Sequence, residues 1–214
     1  MNYKVLYRKY RPKTFDEIVG QNNIITLLKD SIINNKISHA YIFSGPRGTG
    51  KTSTAKIFAK AINCLNNTDG NPCLNCDICS NFNLNNDTYE IDAASNTGVD
   101  QIREIIDNVK LSPITSKYKV YIIDEVHMLS TSAFNALLLT LEEPPSHVVF
   151  ILATTNIEDV PITVLSRCQR LDFRKIANKD IHEQLIKVSK EENIDISDEA
   201  IEEITNYSDG GMRD

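Results

Sequence analysis

The stretch Gly45-Pro46-Arg47-Gly48-Thr49-Gly50-Lys51-Thr52 has the residue types and spacing of a phosphate-binding loop. Its three glycines let backbone N–H groups turn inward around phosphate oxygens. The Lys51 ammonium reaches the outer phosphates, and the Thr52 hydroxyl is suited to ligate Mg²⁺. The expected ligand is a nucleoside triphosphate with Mg²⁺. The alternative is an ordinary glycine-rich turn, and context argues against it: an apolar run at 40–44 leads into the loop and a helical pattern at 53–61 leaves it.

A second feature supports the first. Val120-Tyr121-Ile122-Ile123 is an apolar run that ends in Asp124 and Glu125. Acidic pairs after strands are often no more than solvated loop starts. Beside a phosphate loop, however, Asp124 can hold the Mg²⁺ shell and Glu125 can orient and polarise an attacking water, which points to hydrolysis.

Four of the five cysteines form the pattern Cys64-x8-Cys73-x2-Cys76-x2-Cys79. Thiolates spaced this closely can close a tetrahedral Zn²⁺ site with no open position, so the site reads as structural. An iron–sulfur cluster is the metal alternative. Reduced thiols on a loop are the alternative without a metal, and four of them exposed together would be an oxidation hazard.

These groups need a scaffold. Strand patterns fall at 40–44, 89–92, 120–124, 148–153 and 171–173, several of them apolar on consecutive positions as strands covered on both faces must be. Helical patterns lie between them at 22–34, 51–62, 99–109 and 132–141. Strand and helix therefore alternate, which predicts an α/β fold with a parallel sheet flanked by helices. An asparagine-rich stretch at 63–86 interrupts the alternation and carries the cysteines, so it reads as an inserted module. After 173 only helical patterns follow, at 178–192 and 197–207. The expected division is a nucleotide-binding core over 1–176, with its zinc module at 64–79, and a small helical domain over 177–214 that looks cut short.

Composition sets limits on function. With 214 residues, 41% of them hydrophobic and 24% charged, the chain can bury the core of one α/β domain plus an appendage. A net charge of −6 argues against coating nucleic acid by bulk attraction, so any such contact must be local or shared among subunits. No apolar run is long enough to span a bilayer and the basic start lacks a signal peptide's apolar stretch, so the cytoplasm is the expected compartment.

Taken together, several segments resemble the gamma/tau subunit of the bacterial DNA polymerase III clamp loader. They are Tyr7-Arg8-Lys9-Tyr10-Arg11-Pro12-Lys13-Thr14-Phe15 with Val19-Gly20-Gln21, Ser38-His39-Ala40 leading into the loop, and the cysteine insert. Glu90-Ile91-Asp92-Ala93-Ala94-Ser95, Asp124-Glu125-Val126-His127-Met128-Leu129, Leu141-Glu142-Glu143-Pro144-Pro145 and Ser166-Arg167-Cys168 complete the set. The resemblance implies an AAA+ ATPase with a five-stranded sheet and a helical lid. It also implies a five-membered ring with delta, delta-prime and further gamma/tau copies, which opens a sliding clamp and places it on primer-template DNA.

By position, Tyr7, Arg11, Pro12 and Val19 would lie on the adenine side of bound ATP. Thr155, or Asn156 next to it, would sense the γ-phosphate. Arg167 would be an arginine finger acting in trans on a neighbour's ATP, where a delocalised cation can stabilise charge on the transferred group. Arg213 would be the lid's sensor residue. Outside the family, Arg167 reads as a surface arginine capping a short helix, Thr155 as a strand-end hydroxyl and Arg213 as a charge at a flexible end. The helix opened by Ser95-Asn96-Thr97-Gly98 and running through Arg103 resembles one that faces DNA in clamp loaders.

Two departures stand out. Leu139 occupies a position that is usually basic, which puts coupling to DNA or a neighbour in doubt. The lid is also expected to be cut short and the collar that would hold a pentamer to be absent, which would make this chain a poor assembler. Two other functions fit parts of the sequence. One is a zinc-bearing nucleotide kinase. The other is a noncatalytic ring member like delta-prime, against which the intact loop argues.

Overall fold

A computed structural model describes residues 5–95 and 99–213. Its sheet contains β1 (Ala40–Ser44), β2 (Thr88–Asp92), β3 (Lys119–Asp124), β4 (Val148–Thr154) and β5 (Gln169–Asp172). All pairings are parallel and the order across the sheet is β2-β3-β4-β1-β5. Around it lie α1 (Leu6–Lys9), α2 (Asn22–Ile33), α3 (Lys51–Asn63), α4 (Asp77–Ser80), α5 (Val99–Val109), α6 (Thr131–Glu142), α7 (Ile162–Leu165), α8 (Asn178–Glu192) and α9 (Asp198–Tyr207).

Successive side chains of a strand face opposite ways, so a sheet covered on both faces needs apolar residues at consecutive positions. β1 and β4 are buried throughout. Tyr41 and Phe43 of β1 join one core with Phe58 of α3, Leu28 of α2, Ile122 and Ile151. Ala40 and Ile42 join the other, with Ile102 of α5, Leu137 of α6, Ile123 and Leu152. Tyr41 meets Phe58 edge to face with ring centroids 4.9 Å apart. Burying a side chain of this size contributes about 1.5–3 kcal/mol.

Helix ends match their sequences. Ser130 caps α6 by accepting from the Ala133 N–H at 3.3 Å. Ser197 does the same for α9 through Ala200, with Asp198 and Glu199 in the first turn where the helix dipole favours anions. Lys119 is buried at the start of β3 and donates to the Asn108 and Leu111 carbonyls at 2.7 and 3.4 Å, neutralising the C-terminal end of α5.

The expected alternation is present, with most bounds within one residue and one larger shift. The last strand runs 169–172 rather than 171–173, because at this sheet edge Leu171 alone is buried and Gln169, Arg170 and Asp172 face solvent. An apolar pattern cannot find a strand whose outer residues are polar. Among the described residues no helix is long and apolar enough to cross a membrane.

The topology decides where chemistry can occur. The chain leaves β1, which lies beside β4, and crosses to β2 at the far edge before β3 returns between them. The crevice at the C-terminal ends of such strands is where an open α/β sheet binds ligands. The ends of β1, β3 and β4 place the Gly45–Thr52 loop, Asp124 with Glu125, and Thr154 with Thr155 together.

Candidate functional site

The loop wraps tightly because two glycines permit it. A side chain on Gly45 (φ +140°) would lie 2.3 Å from the Phe173 carbonyl, and one on Gly48 (φ +78°) would lie 2.8 Å from the Gly211 Cα. The loop leads directly into the N-terminus of α3, a 13-residue helix whose first N–H groups are free to face an anion. Thr49 braces the turn by donating to the Pro46 carbonyl at 2.8 Å. Pro46 and Arg47 stay exposed.

Lys51 is buried, and its Nζ donates to the Gly45 and Pro46 carbonyls at 2.7 and 2.8 Å. Burial holds the ammonium below the usual lysine range, against the opposing pull of Glu125 and Asp124. Thr52 donates to Asp124 Oδ2 at 2.7 Å, so the two oxygens expected to share a cation are already in contact. The donor set, a hydroxyl and a carboxylate beside a phosphate loop, suits Mg²⁺.

Glu125 follows Asp124 in a left-handed conformation (φ +49°, ψ +45°), unusual for a residue with a side chain. Its Oε2 accepts from the Thr155 hydroxyl at 2.9 Å and the Thr155 N–H at 3.3 Å. Asn156 instead directs its amide to Asp159. Of the two neighbouring candidates, Thr155 is therefore the one that meets the acidic tip. A cleft of about 320 Å³ opens beside it, lined by Ser44, Gly45, Pro46, Thr155, Arg170 and Asp172.

The chain's last described residues touch the loop. Met212 donates its N–H to the Gly48 carbonyl at 3.0 Å. The Arg213 guanidinium lies 5.4 Å from the centre of the Tyr7 ring, a cation–π distance. Arg11 donates to Ser53 Oγ at 3.1 Å in the first turn of α3. Pro12 and Val19 are half-buried.

Arg167 belongs to a different neighbourhood. It follows α7, donates to the Thr163 carbonyl, and pairs with Glu142 at the end of α6 at 2.6 Å. Both partners are partly exposed, and such pairs contribute roughly 0–1 kcal/mol, so Glu142 does not hold Arg167 strongly. Leu139 is 72% exposed on the same helix as Glu142. Asn96, Thr97 and Gly98, at the start of the helix expected to face DNA, lie outside the described residues.

The four cysteines converge. Their sulfurs all lie within 4.8 Å of one another, with Cys64–Cys76 and Cys73–Cys79 at 4.0 Å. Four sulfurs bound to Zn²⁺ at about 2.3 Å would lie about 3.8 Å apart, so this set fits one tetrahedral ion. Backbone N–H groups point at the sulfurs, Cys73 N to Cys64 Sγ and Cys76 N to Cys73 Sγ, each at 3.3 Å. N–H donation, first from Asn75, brings the Cys73 thiol down to about 6, whereas burial pushes Cys64 and Cys79 up. Cys168 stands apart as a half-buried thiol, raised to about 12 by desolvation.

Two supports have no signature in the sequence. Gln21 is buried and grips both backbone groups of Arg174, donating to its carbonyl at 2.7 Å and accepting from its N–H at 3.2 Å. Asp87 is fully buried and accepts from the N–H groups of Ile114, Thr115 and Ser116 at 2.7–2.8 Å. Burial pushes its carboxyl up, but those donors outweigh it and hold it below the usual range. Neither stands out from its neighbours in the sequence: Gln21 is followed by Asn22 and Asn23, and Asp87 follows an asparagine-rich run.

The parallel five-stranded sheet, the glycine loop entering α3 and the acidic tip of β3 define an α/β fold of the phosphate-loop type. Solved structures agree on the fold. The RuvB Holliday junction branch migration motor of Thermotoga maritima aligns with a TM-score of 0.67 at 22% identity, covering 95% of this chain and 62% of that one. A DNA polymerase III gamma subunit-related protein of the same organism aligns with a TM-score of 0.57 at 20% identity, covering 80% and 52%.

Sequence comparison is more specific. The family model described as "DNA polymerase III, delta subunit" matches residues 20–177. The chain is 52% identical over its whole length to DNA polymerase III subunit tau of Bacillus subtilis, of which it covers 38%. It is 47% identical to subunit tau/gamma of Haemophilus influenzae, covering 31% of that protein, and 44% identical to subunit gamma of Buchnera aphidicola from Acyrthosiphon pisum, covering 60%. The chain belongs to the gamma/tau family of DNA polymerase III subunits.

Proposed function

We propose that this chain is the ATP-driven part of a clamp-loader subunit, binding ATP with Mg²⁺ and hydrolysing it to open a sliding clamp and release it on primer-template DNA. The observation that carries this reading is the contact chain from Thr52 through Asp124 and Glu125 to Thr155, which links the ends of β1, β3 and β4. Gly45 to Thr52 cradle the phosphates, and Lys51 turns from the loop carbonyls to the outer phosphates. Thr52 and Asp124 hold Mg²⁺, which when bound offsets phosphate charge. Glu125 accepts the proton of the attacking water, and Thr155 senses the γ-phosphate. A hydrolytic role accounts for Glu125 better than transfer to a small acceptor does, because its carboxylate is anchored within the loop crevice.

Tyr7, Arg11, Pro12 and Val19 lie on the adenine side. Arg213, stacked on Tyr7 and one residue from the Met212–Gly48 bond, ties a lid over 177–214 to the state of the loop of the core over 1–176. Arg167 leaves Glu142 to reach the triphosphate of a neighbouring subunit, since its surroundings on α6 and α7 are not those of its own loop. Cys64, Cys73, Cys76 and Cys79 hold a structural Zn²⁺. The partners are delta, delta-prime, further gamma/tau copies, the clamp and DNA, in the cytoplasm.

The test is ATP hydrolysis by the full-length chain reconstituted with its loader subunits. Stimulation by clamp and primed DNA, lost in Glu125→Gln, is the expected result. Hydrolysis that neither clamp nor DNA changes would refute the loader role.

A further inference from the structure

His127 faces the same Glu125 carboxylate that Thr155 holds. The left-handed backbone at Glu125 starts a short 3-10 turn over Val126–Met128, closed by the Met128 N–H donating to the Glu125 carbonyl at 2.9 Å. That turn folds the imidazole back beside Glu125. Its Nδ1 lies 3.0 Å from Thr154 Oγ1 and 3.5 Å from Glu125 Oε2, and its side chain is only 16% exposed.

Thr154 is fully buried, and its hydroxyl has one proton, which it donates to the Asn156 carbonyl at 3.0 Å; the same oxygen accepts from the Asn156 N–H at 3.0 Å. Toward His127 it can therefore only accept. The carboxylate Oε2 is likewise an acceptor. Nδ1 thus faces two oxygens, one of them a carboxylate, an arrangement that favours the tautomer with its proton on Nδ1.

We infer that His127 is a positioning residue for hydrolysis: its Nδ1–H, fixed by Thr154, joins the Thr155 hydroxyl and N–H in anchoring Glu125 Oε2, so that Oε1 is the oxygen presented to water. The inference rests on the reading of Glu125 as the base. Thr154 pairs with Ser44 across β4 and β1, so the imidazole also fixes Glu125 relative to the strand that feeds the phosphate loop. The left-handed backbone at Glu125, a strained conformation for a residue with a side chain, is what brings the turn into this position.

The experiment uses the full-length chain assembled with its loader subunits, measuring both ATP affinity and single-turnover hydrolysis. His127→Ala removes the donor and should slow hydrolysis about tenfold while leaving ATP affinity within about twofold, since no phosphate contact is lost. His127→Asn places an amide N–H where Nδ1–H stood and should recover most of the rate. His127→Gln, whose amide reaches the Nε2 position instead, should not. If all three variants hydrolyse at the parent rate, or if Asn and Gln behave alike, the positioning role is wrong. Glu125→Gln serves as the control for the underlying reading. If it hydrolyses at the parent rate, Glu125 is not the base; if it is inactive while His127→Ala is unaffected, the His127 inference alone fails.

Discussion

The cysteine centre and the nucleotide crevice are built in opposite ways. All four thiols come from one segment of 16 residues, Cys64 to Cys79, held by N–H···S bonds within it. The crevice draws Lys51, Asp124, Glu125, Thr155 and Met212 from the ends of three strands and from the segment after α9. A local cluster depends on its ion and little else. A crevice assembled from distant segments depends on the sheet holding its register, and it can respond when any one of those segments moves. The first arrangement suits a staple and the second suits a switch.

If that contrast is right, damage to either region should stay there. The largest effect expected is on stability. Cys79→Ser should release the metal and cost roughly 4 kcal/mol, since structural Zn²⁺ supplies much of the folding free energy of the loop it binds. ATP affinity should change by less than about threefold. Elemental analysis gives the first readout and nucleotide titration the second. Iron in place of zinc would overturn the metal assignment, and loss of nucleotide binding would show that the two regions are coupled.

Lys51→Ala is the converse. Removing a buried cation from the phosphate cradle should weaken ATP binding about 100-fold, or about 2.8 kcal/mol. The metal content should stay at one ion per chain. A variant that lost its zinc would contradict the independence of the two sites.

A smaller effect sharpens the point about register. Asp87→Asn leaves N–H groups of Ile114, Thr115 and Ser116 with fewer acceptors at the start of β2 and should cost about 2 kcal/mol in urea unfolding. The effect has a pH signature. Because the folded carboxyl titrates below its unfolded value of about 3.9, its contribution is complete above that pH and is lost as the pH falls through the folded value. Parent and variant should therefore converge in strongly acidic solution. A difference that stayed constant at every pH would mean that Asp87 acts through packing alone.

The same contrast explains what could be read from the sequence. The loop, the acidic pair and the cysteines were legible because each is written in consecutive or closely spaced residues whose types have few other uses. The core strands were legible because burial on both faces demands unbroken apolar runs, as in β1 and β4. β5 was misplaced by two residues at its start because Gln169 and Arg170 lie on an open edge, where nothing selects for apolarity. Gln21 against Arg174, Asp87 against 114–116 and His127 against Thr154 left no trace that could be assigned, because each role exists only after distant segments have met. Thr155 and Asn156 are neighbours that only the fold tells apart, one side chain meeting Glu125 and the other Asp159.

The central claim is that the crevice is half of a composite site, completed by an arginine from a neighbour. It is tested most directly by complementation within the assembled loader. Glu125→Gln subunits keep the arginine but lack the base, whereas Arg167→Ala subunits keep the base but donate no arginine. Each alone should slow hydrolysis about tenfold or more, and complexes assembled from a mixture of the two should regain a substantial part of the rate. A mixture no faster than either variant alone, or an isolated Arg167→Ala subunit that loses ATP affinity, would contradict the account.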